Sequence, residues 1–307
     1  MGRECEMAKI DAKKRYSLIV TIAIFIILMI GVILIYKFSN ISNNSIYVKV
    51  DSIDPLVIDK AVKEPDKTNA NITIANEIKR AYNLEVVYGT GTENMAKSVN
   101  AETIYDSQKV NTMFVEFIKC LEKYPQNIVR EIQSKGYSVE VYFVNNFNNN
   151  NLALATRDVN NNFKIYISNL SNEDKSFEAV HHEMYHILEY YMKLQYNLDD
   201  LYKQWNDYNP SGFEYDSNIK DLNSKYVYGS SGSNSDGAYF VSTYSKVSEK
   251  EDRAEVFANT MVATSKPGYY TDSLGAIKGK MQLIKNALRD TFDCLKYENN
   301  VEWEKYF

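Results

Sequence analysis

The sequence predicts an α+β fold, with helices before and after a group of strands. Apolar residues recur at helical spacing before residue 136 and after residue 171, and three short strand-like runs lie between these regions. The chain has 307 residues, 45% of them apolar and 13% aromatic, which suffices for one or two packed domains and excludes disorder throughout. Its net charge of −5, with no block of Lys and Arg, argues against nucleic acid as a partner.

The first element is a predicted transmembrane helix at Leu18–Tyr36. This run of 19 uncharged residues would span roughly 29 Å as a helix, about the hydrocarbon thickness of a bilayer. It is longer than the apolar part of a cleaved signal peptide, which has about 7–15 residues, and no small-residue cleavage pattern follows it. Lys13, Lys14 and Arg15 precede the run and Lys37 alone follows it, so the positive-inside rule predicts a cytoplasmic N-terminus and an extracellular remainder.

The polar segment after this helix predicts a stalk. It is rich in Asn and Ser at Asn40–Ser45 and carries Pro65 within a charged stretch, whereas a globular pattern begins near residue 72. The predicted organisation is a cytoplasmic tail at 1–16, a membrane anchor at 17–36, a stalk at 37–71 and a globular domain at 72–307.

The globular region shows helices first and strands second. Apolar spacing predicts, in order, a helix at Ile74–Tyr82, a strand at Leu84–Tyr88, a helix through Val110–Leu121 that Pro125 ends, and a helix at 126–134. Three strands joined by Asn-rich turns follow at 139–144, 152–156 and 163–168. Ser171 and Asp174 form a capping-box pattern that opens the next helix, and further helices are predicted from about Ser248 and over about 275–297.

All three histidines of the chain lie between positions 181 and 186, and two of them, His182 and His186, form the pattern H-E-x-x-H. His182 and His186 are four apart, so a helix presents both imidazoles on one face, with Cβ atoms about 5–6 Å apart, and they can share a metal such as Zn²⁺. Glu183 lies one residue further round the helix, where it suits a general base. His181 is outside this pair, and we expect it on the helix surface or in packing.

A catalytic zinc site needs a third protein ligand and an open position for water. No histidine remains and no cysteine is suitably placed, so a carboxylate on another element is expected. Glu251 and Glu255 are four apart in the predicted helix EKEDRAEVFA and therefore share a face. They could instead be an ordinary solvated stripe, although Val256, Phe257 and Met261 indicate that this helix also has a buried side.

The pairing of HHEMYH with FVSTYSKVSEKEDRAEVFA resembles the zinc metallopeptidases related to anthrax lethal factor and the Pro-Pro endopeptidases, especially the bacterial zinc-binding metallopeptidases of that group. In that family a tyrosine lies seven residues before a glutamate ligand and a second glutamate lies four after it, which matches Tyr244, Glu251 and Glu255. The resemblance implies a zincin-like gluzincin domain. By this resemblance Glu251 is the third zinc ligand, Glu255 accepts a hydrogen bond from a zinc-bound histidine, and Tyr244 donates to the oxyanion.

The resemblance extends over about residues 72–307. The segment Trp205 to Tyr215 is similar to the family's link between the two zinc helices, whereas Arg253 stands where relatives usually carry an aromatic residue. These features together predict a single-pass, membrane-anchored zinc metalloendopeptidase at the bacterial cell surface. One Zn²⁺ activates a water that attacks a peptide bond, with Glu183 as general base. The peptide is expected to pair with an edge strand near 152–157.

Two other functions share features with this prediction. Intramembrane zinc proteases place the motif inside a hydrophobic span, but here about 145 residues of polar chain separate the span from the motif, which excludes that class. A non-catalytic zinc-containing surface binding protein stays an alternative, although such a protein has no need of the base Glu183. Among the cysteines, Cys5 is predicted to be cytoplasmic, and Cys120 and Cys294 are either buried free thiols or a disulfide.

Overall fold

The three strands predicted around residues 139–168 lie side by side in one sheet. The computed structural model describes residues 51–196, 198, 203–217, 226–228, 238–263 and 275–305, which belong to a unit that spans Lys49–Phe307. Its strands are β1 Glu85–Val87, β2 Ala101–Thr103, β3 Val139–Phe147, β4 Ala153–Arg157 and β5 Phe163–Ser168. Its helices are α1 Pro55–Lys63, α2 Lys67–Tyr82, α3 Glu93–Ser98, α4 Ser107–Leu121, α5 Asn127–Ser134, α6 Asp174–Gln195, α7 Glu249–Ala263 and α8 Gly275–Thr291. The α+β prediction is confirmed.

The sheet is mixed and has the order β1-β3-β5-β4, with β2 paired to the far end of β3. β1, β3 and β5 run parallel, whereas β4 runs antiparallel to β5. β4 therefore forms one edge of the sheet. Because β4 pairs on one side only, every second backbone N–H and C=O along it points away from the sheet.

Both faces of the central strand β3 are buried. Val141 and Phe143 point into the main core, where the Phe143 ring contacts Phe114 and Phe117 of α4 at centroid distances of 5.0 and 5.7 Å. The alternate residues of β3 form a second apolar cluster with residues of α3 on the opposite face. A strand buried on both faces explains why VEVYFV reads as a nearly continuous apolar run.

The predicted stalk is wrong for residues 51–71. This segment forms α1 and the start of α2, and Ala61 and Ala70 are buried in the main core. Asp54 accepts a hydrogen bond from the N–H of Leu56 and precedes Pro55, a combination that favours a helix start. The polar composition of the segment predicts a stalk, whereas the Asp54 cap and Pro55 indicate the helix that is observed. Residues 37–50 of the predicted stalk lie outside the described residues.

Two helix boundaries also differ from the prediction. The prediction of a capping box at Ser171 is wrong. α6 begins at Asp174, and the side chain of the preceding Glu173 makes no capping hydrogen bond. Ser171 Oγ instead lies 3.3 Å from Ser176 Oγ. The last predicted helix ends at Thr291 and is followed by a 3₁₀ turn at Asp293–Tyr297. The strong apolar pattern located both helices but left their ends undefined, as is common.

Cys120 and Cys294 are both free and buried, which decides between the two alternatives left by the sequence. Burial raises the pKa of the Cys120 thiol to about 12 and also raises that of Cys294. Both thiols are therefore in their neutral, unreactive form at ordinary pH.

None of the helices in the described ranges has both the length and the apolar character to cross a membrane. The predicted transmembrane helix at Leu18–Tyr36 and the cytoplasmic tail before it lie outside the described residues.

Candidate metal centre

Two helices from distant parts of the chain bring three ligand atoms together. His182 and His186 lie one turn apart on α6, and Glu251 lies in the first turn of α7, which packs against α6. Glu251 Oε2 is 2.9 Å from His182 Nε2 and 3.3 Å from His186 Nε2, and the ligand atoms of all three residues lie within 4.8 Å of one another.

These separations fit a zinc ion. With Zn–N bonds near 2.0–2.1 Å, two ligands of a tetrahedral site are about 3.3 Å apart, close to both distances measured between Glu251 and the histidines. Two imidazoles and one carboxylate are also a ligand set that zinc accepts in catalytic sites. His182 and His186 are largely buried, at 7% and 4% exposure, so a metal would be held in a partly enclosed position.

The first turn of α7 favours the acidic residues that it carries. Glu249, Glu251 and Asp252 all lie there, where the partial positive charge of the helix N-terminus stabilises carboxylates. Ser248 precedes the helix, and its Oγ accepts a hydrogen bond from the N–H of Glu251 at 3.2 Å. This N-cap fixes the start of the helix about two turns before Glu255 and thereby the direction in which Glu251 points.

Glu255 holds His182 from the other side of the ring. Its Oε1 lies 2.8 Å from His182 Nδ1, and its Oε2 accepts a hydrogen bond from Ser242 Oγ at 2.5 Å. With Nδ1 donating to Glu255, Nε2 is the ring nitrogen of His182 that would present its lone pair to a bound metal. His186 Nδ1 is buried and has no hydrogen-bond partner within the described part of the chain.

The charges of this cluster are strongly coupled. Burial disfavours the protonated form of His182, but the hydrogen bonds to Glu251 and Glu255 outweigh it and raise the pKa to about 9. Burial also disfavours the charge of Glu251, yet the hydrogen bonds to His182 and His186 hold its pKa well below the ordinary value. Without a metal, the proton on His182 offsets part of the negative charge of Glu251 and Glu255. A bound cation would replace this proton.

Glu183 and Tyr244 line a cleft together with the ligand candidate His182 and with Glu255. The cleft has a volume of about 350 Å³ and is also lined by the start of β4 and the first turns of α6. Glu183 Oε2 accepts a hydrogen bond from the backbone N–H of Ala155 in β4 at 2.6 Å. Burial and the nearby charges of Glu251 and Glu183 raise the pKa of Tyr244 to about 12. The phenol therefore stays protonated at ordinary pH and can donate a hydrogen bond. The structure thus brings all six predicted site residues into one region.

Comparisons with known proteins add one solved structure. No protein-family model matches the chain, and no curated protein matches it. A "putative zinc-binding metallo-peptidase" from Bacteroides caccae ATCC 43185, solved at 2.10 Å, is similar in structure, with 17% identity and a TM-score of 0.45. The similarity covers 74% of this chain and 87% of that chain. The resemblance to the lethal-factor and Pro-Pro endopeptidase group stays a prediction, and the roles of the site residues depend on their own geometry.

His181 takes no part in the cleft. It is 1% exposed, and its Nδ1 is 2.8 Å from the hydroxyl of Tyr124, whose ring packs against Phe257 and Trp303. Burial lowers the pKa of His181 to about 3, so the ring is neutral at ordinary pH. Of the two places that the sequence allowed for His181, packing is the one observed.

A buried ion pair next to Glu251 was missed in the sequence. Asp252 and Lys280 are completely buried, with Lys280 Nζ donating to Asp252 Oδ2 at 2.7 Å. Trp205 Nε1 and the Tyr215 hydroxyl donate to the same oxygen, at 3.0 and 2.8 Å. The segment from Trp205 to Tyr215 is therefore hydrogen bonded to α7 at Asp252, the residue next to the metal-ligand candidate Glu251. Lys280 lies on the apolar stripe of α8, and a charge on a buried stripe is the signal that predicts such a partner.

A second ion pair joins the two helices directly. Arg253 Nε donates to Glu189 Oε1 at 2.5 Å, and both side chains are buried. Arg253 is also 3.5 Å from Glu249 on its own helix. Arg253 therefore provides a charged link between α6 and α7.

Proposed function

We propose that this chain is a zinc metalloendopeptidase. The observation that carries the proposal is the convergence of His182, His186 and Glu251 on one point, with Glu183 and Tyr244 lining the cleft beside His182. Three ligands that leave one position open are typical of catalytic zinc sites, whereas structural sites are closed by four protein ligands.

The proposed roles follow from what each side chain can do. His182, His186 and Glu251 hold Zn²⁺, which supplies Lewis-acid chemistry by polarising a carbonyl and lowering the pKa of water. Glu183 takes the proton of the attacking water and delivers it to the leaving amine. The Tyr244 hydroxyl donates to the carbonyl oxygen as negative charge develops there.

Glu255 acts through His182 rather than on the substrate. A carboxylate that accepts the second N–H of a ligand histidine fixes the ring and raises its basicity. Ser242 in turn holds the carboxylate of Glu255.

The substrate in this proposal is an extended peptide that lies along β4. β4 is an edge strand, and its residue Ala155 contacts the proposed base Glu183. A peptide that adds a strand at this edge brings one of its carbonyl groups beside the ligand cluster. Backbone hydrogen bonds from β4 would then provide affinity that does not depend on the side chains of the substrate.

We also propose that Leu18–Tyr36 anchors the chain in the membrane and that the catalytic domain is extracellular. The support is the uncharged run of 19 residues and the excess of basic residues before it. A protease accessibility assay on intact cells tests this orientation, because an extracellular domain is digested without cell lysis.

The activity is tested with the full-length chain and its Glu183→Gln variant on a broad peptide library, with cleavage read by mass spectrometry. We expect zinc-dependent cleavage by the wild type and a loss of about 100-fold or more in the variant, since the amide cannot take a proton. Zinc content should be the same in both proteins. Equal behaviour of the two proteins on the library would leave the non-catalytic zinc-binding alternative and overturn the proposal.

A further inference from the structure

A group of cations surrounds one aromatic ring a single turn beyond the metal ligands. Tyr190 follows His186 by four residues and so lies on the same side of α6 as the two histidines. Its half-buried ring is nearly parallel to that of Phe163, with centroids 6.5 Å apart. The Arg157 guanidinium lies 4.9 Å from the centre of the Tyr190 ring, Lys250 Nζ lies 5.3 Å away and Lys193 Nζ lies 5.8 Å away. We call Tyr190, Arg157, Lys193 and Lys250 the Tyr190 cluster.

The two lysines of the Tyr190 cluster each lie near one carboxylate. Lys193 is 3.5 Å from Glu189, but that carboxylate is completely buried and already bonded to Arg253. Lys250 is 3.8 Å from Glu251 Oε1.

Metal binding would leave this region more positive. In the proposed function the charge of Glu251 is directed to the metal, which weakens its attraction for Lys250. The guanidinium of Arg157 is exposed and makes neither an ion pair nor a hydrogen bond with the described residues. The region therefore offers positive charge to a ligand.

Arg157 has a defined position relative to the proposed reaction. It is two residues beyond Ala155, whose N–H binds Glu183, so the two positions are about 6.6 Å apart along β4. Side chains two apart in a strand point to the same face, and the contact with Tyr190 shows that this is the face covered by α6. The Tyr190 cluster thus lies at the C-terminal end of the edge along which the substrate is proposed to bind.

The substrate in this proposal runs antiparallel to β4. Antiparallel pairs are slightly more stable per residue than parallel pairs. A substrate antiparallel to β4 places its N-terminal part beside Arg157, with the residue that precedes the scissile bond near Ala155. The residue opposite Arg157 is then the third residue before the scissile bond. In the cleft beside the start of β4, Lys175 and Glu178 line the wall together, so that region has no single sign of charge.

We propose that the Tyr190 cluster selects substrates with a glutamate or aspartate at the third residue before the scissile bond. The inference rests on the proposed function, because it names a substrate class for the same proposed active site. The aromatic ring orders the guanidinium through cation–π contact, so Arg157 loses little freedom when it meets a carboxylate. Since the charges are exposed to solvent, we expect the preference to be modest, about three- to tenfold, and to weaken in high salt.

The test uses the full-length, zinc-loaded chain and a peptide first found by library profiling to be cleaved. Two versions are synthesised that differ only in Glu or Gln at the third residue before the cleaved bond. The ratio of their kcat/KM values is measured for the wild type, for Arg157→Gln and for Arg157→Gln/Lys250→Gln. Lys164→Gln is the matched control, because Lys164 is in the adjacent strand beside Thr156 but on the opposite face, where its ammonium contacts Met95.

We expect a Glu/Gln ratio of about three to ten for the wild type and for Lys164→Gln, a smaller ratio for Arg157→Gln, and a ratio near one for the double variant. Cleavage without a preference, or a preference unchanged in the double variant, overturns the inference but leaves the peptidase proposal intact. An acidic preference only after the scissile bond also overturns it. If no peptide is cleaved, the proposed function fails and the inference fails with it.

Discussion

The backbone N–H of Ala155 donates a hydrogen bond to Glu183 Oε2 at 2.6 Å, which ties the middle of the edge strand to the proposed general base. One carboxylate oxygen is thereby held by β4, and the other stays available to the cleft. The relationship couples the strand that is proposed to bind substrate with the group that is proposed to move the proton.

Replacing Ala155 by proline removes this donor. The N–H points away from β5, and an edge strand tolerates proline at such a position, so the sheet should remain intact. We expect kcat to fall about tenfold, because the base loses the contact that orients it, while zinc content is unchanged. Ala155→Ser keeps the N–H and is the matched control. Equal kcat values for the two variants would contradict a positioning role for this hydrogen bond.

Replacing Glu251 by alanine should abolish stoichiometric zinc binding. Glu251 contributes one of the three ligand atoms, and two histidines alone form an incomplete site. Glu249→Ala is the control, since Glu249 lies in the same first turn but contacts Arg253. Zinc content by mass spectrometry of metals after dialysis gives the comparison. If both variants retain zinc equally, Glu251 is not a ligand.

Glu255→Gln should weaken zinc binding without removing it. The amide accepts a weaker hydrogen bond from His182 Nδ1 than the carboxylate does, so the ring becomes less basic and less well oriented. We expect zinc affinity to fall about 10- to 100-fold in competition with a chelator. Ser242→Ala, which removes only the hydroxyl that holds Glu255, should have a smaller effect. A larger effect for Ser242→Ala would show that Glu255 is not the principal contact of His182.

Lys280→Met should destabilise the fold. It leaves the Asp252 carboxyl fully buried without its cation, which typically costs about 3–5 kcal/mol in the free energy of unfolding. Asp252→Asn alone leaves Lys280 unpaired and should cost a similar amount. The double variant should be more stable than the sum of the two effects predicts, as measured by urea unfolding in a double-mutant cycle. Additive effects would mean that the two groups do not stabilise each other.

The buried His181 predicts a loss of stability in acid. Its pKa is about 3 in the folded chain, against about 6.5 when unfolded, so below pH 6.5 the unfolded chain binds a proton that the folded chain does not. The free energy of unfolding should therefore fall as the pH drops from about 6.5 to about 3, by about 3 kcal/mol at pH 4. His181→Asn, which can still hydrogen bond to Tyr124, should lack this contribution.

This comparison is made with EDTA present, so that loss of zinc does not differ between the proteins. The measurement is urea unfolding from pH 7 to pH 4. Parallel pH profiles of the two proteins would contradict the assignment of this acid sensitivity to His181.

Local patterns predicted much of the fold and half of the site. The apolar runs located the three central strands, and the four-residue spacing placed His182 and His186 together on α6. The weakest predictions concerned α1 and the start of α2, where polar composition outweighed the capping signals of Asp54 and Asp66. Composition averages over a segment, whereas a helix can pack into the core with only a few small buried residues such as Ala61 and Ala70.

The sequence by itself determined the features that depend on the period of one element: the histidine pair, the adjacent base and the shared face of Glu251 and Glu255. Only the tertiary structure decided which distant groups meet them. Glu251 lies 69 positions after His182, and the contact with Ala155 involves a backbone amide that every residue except proline possesses. Such contacts depend on how helices and sheet pack. That packing is set by the whole core, so no local spacing records it.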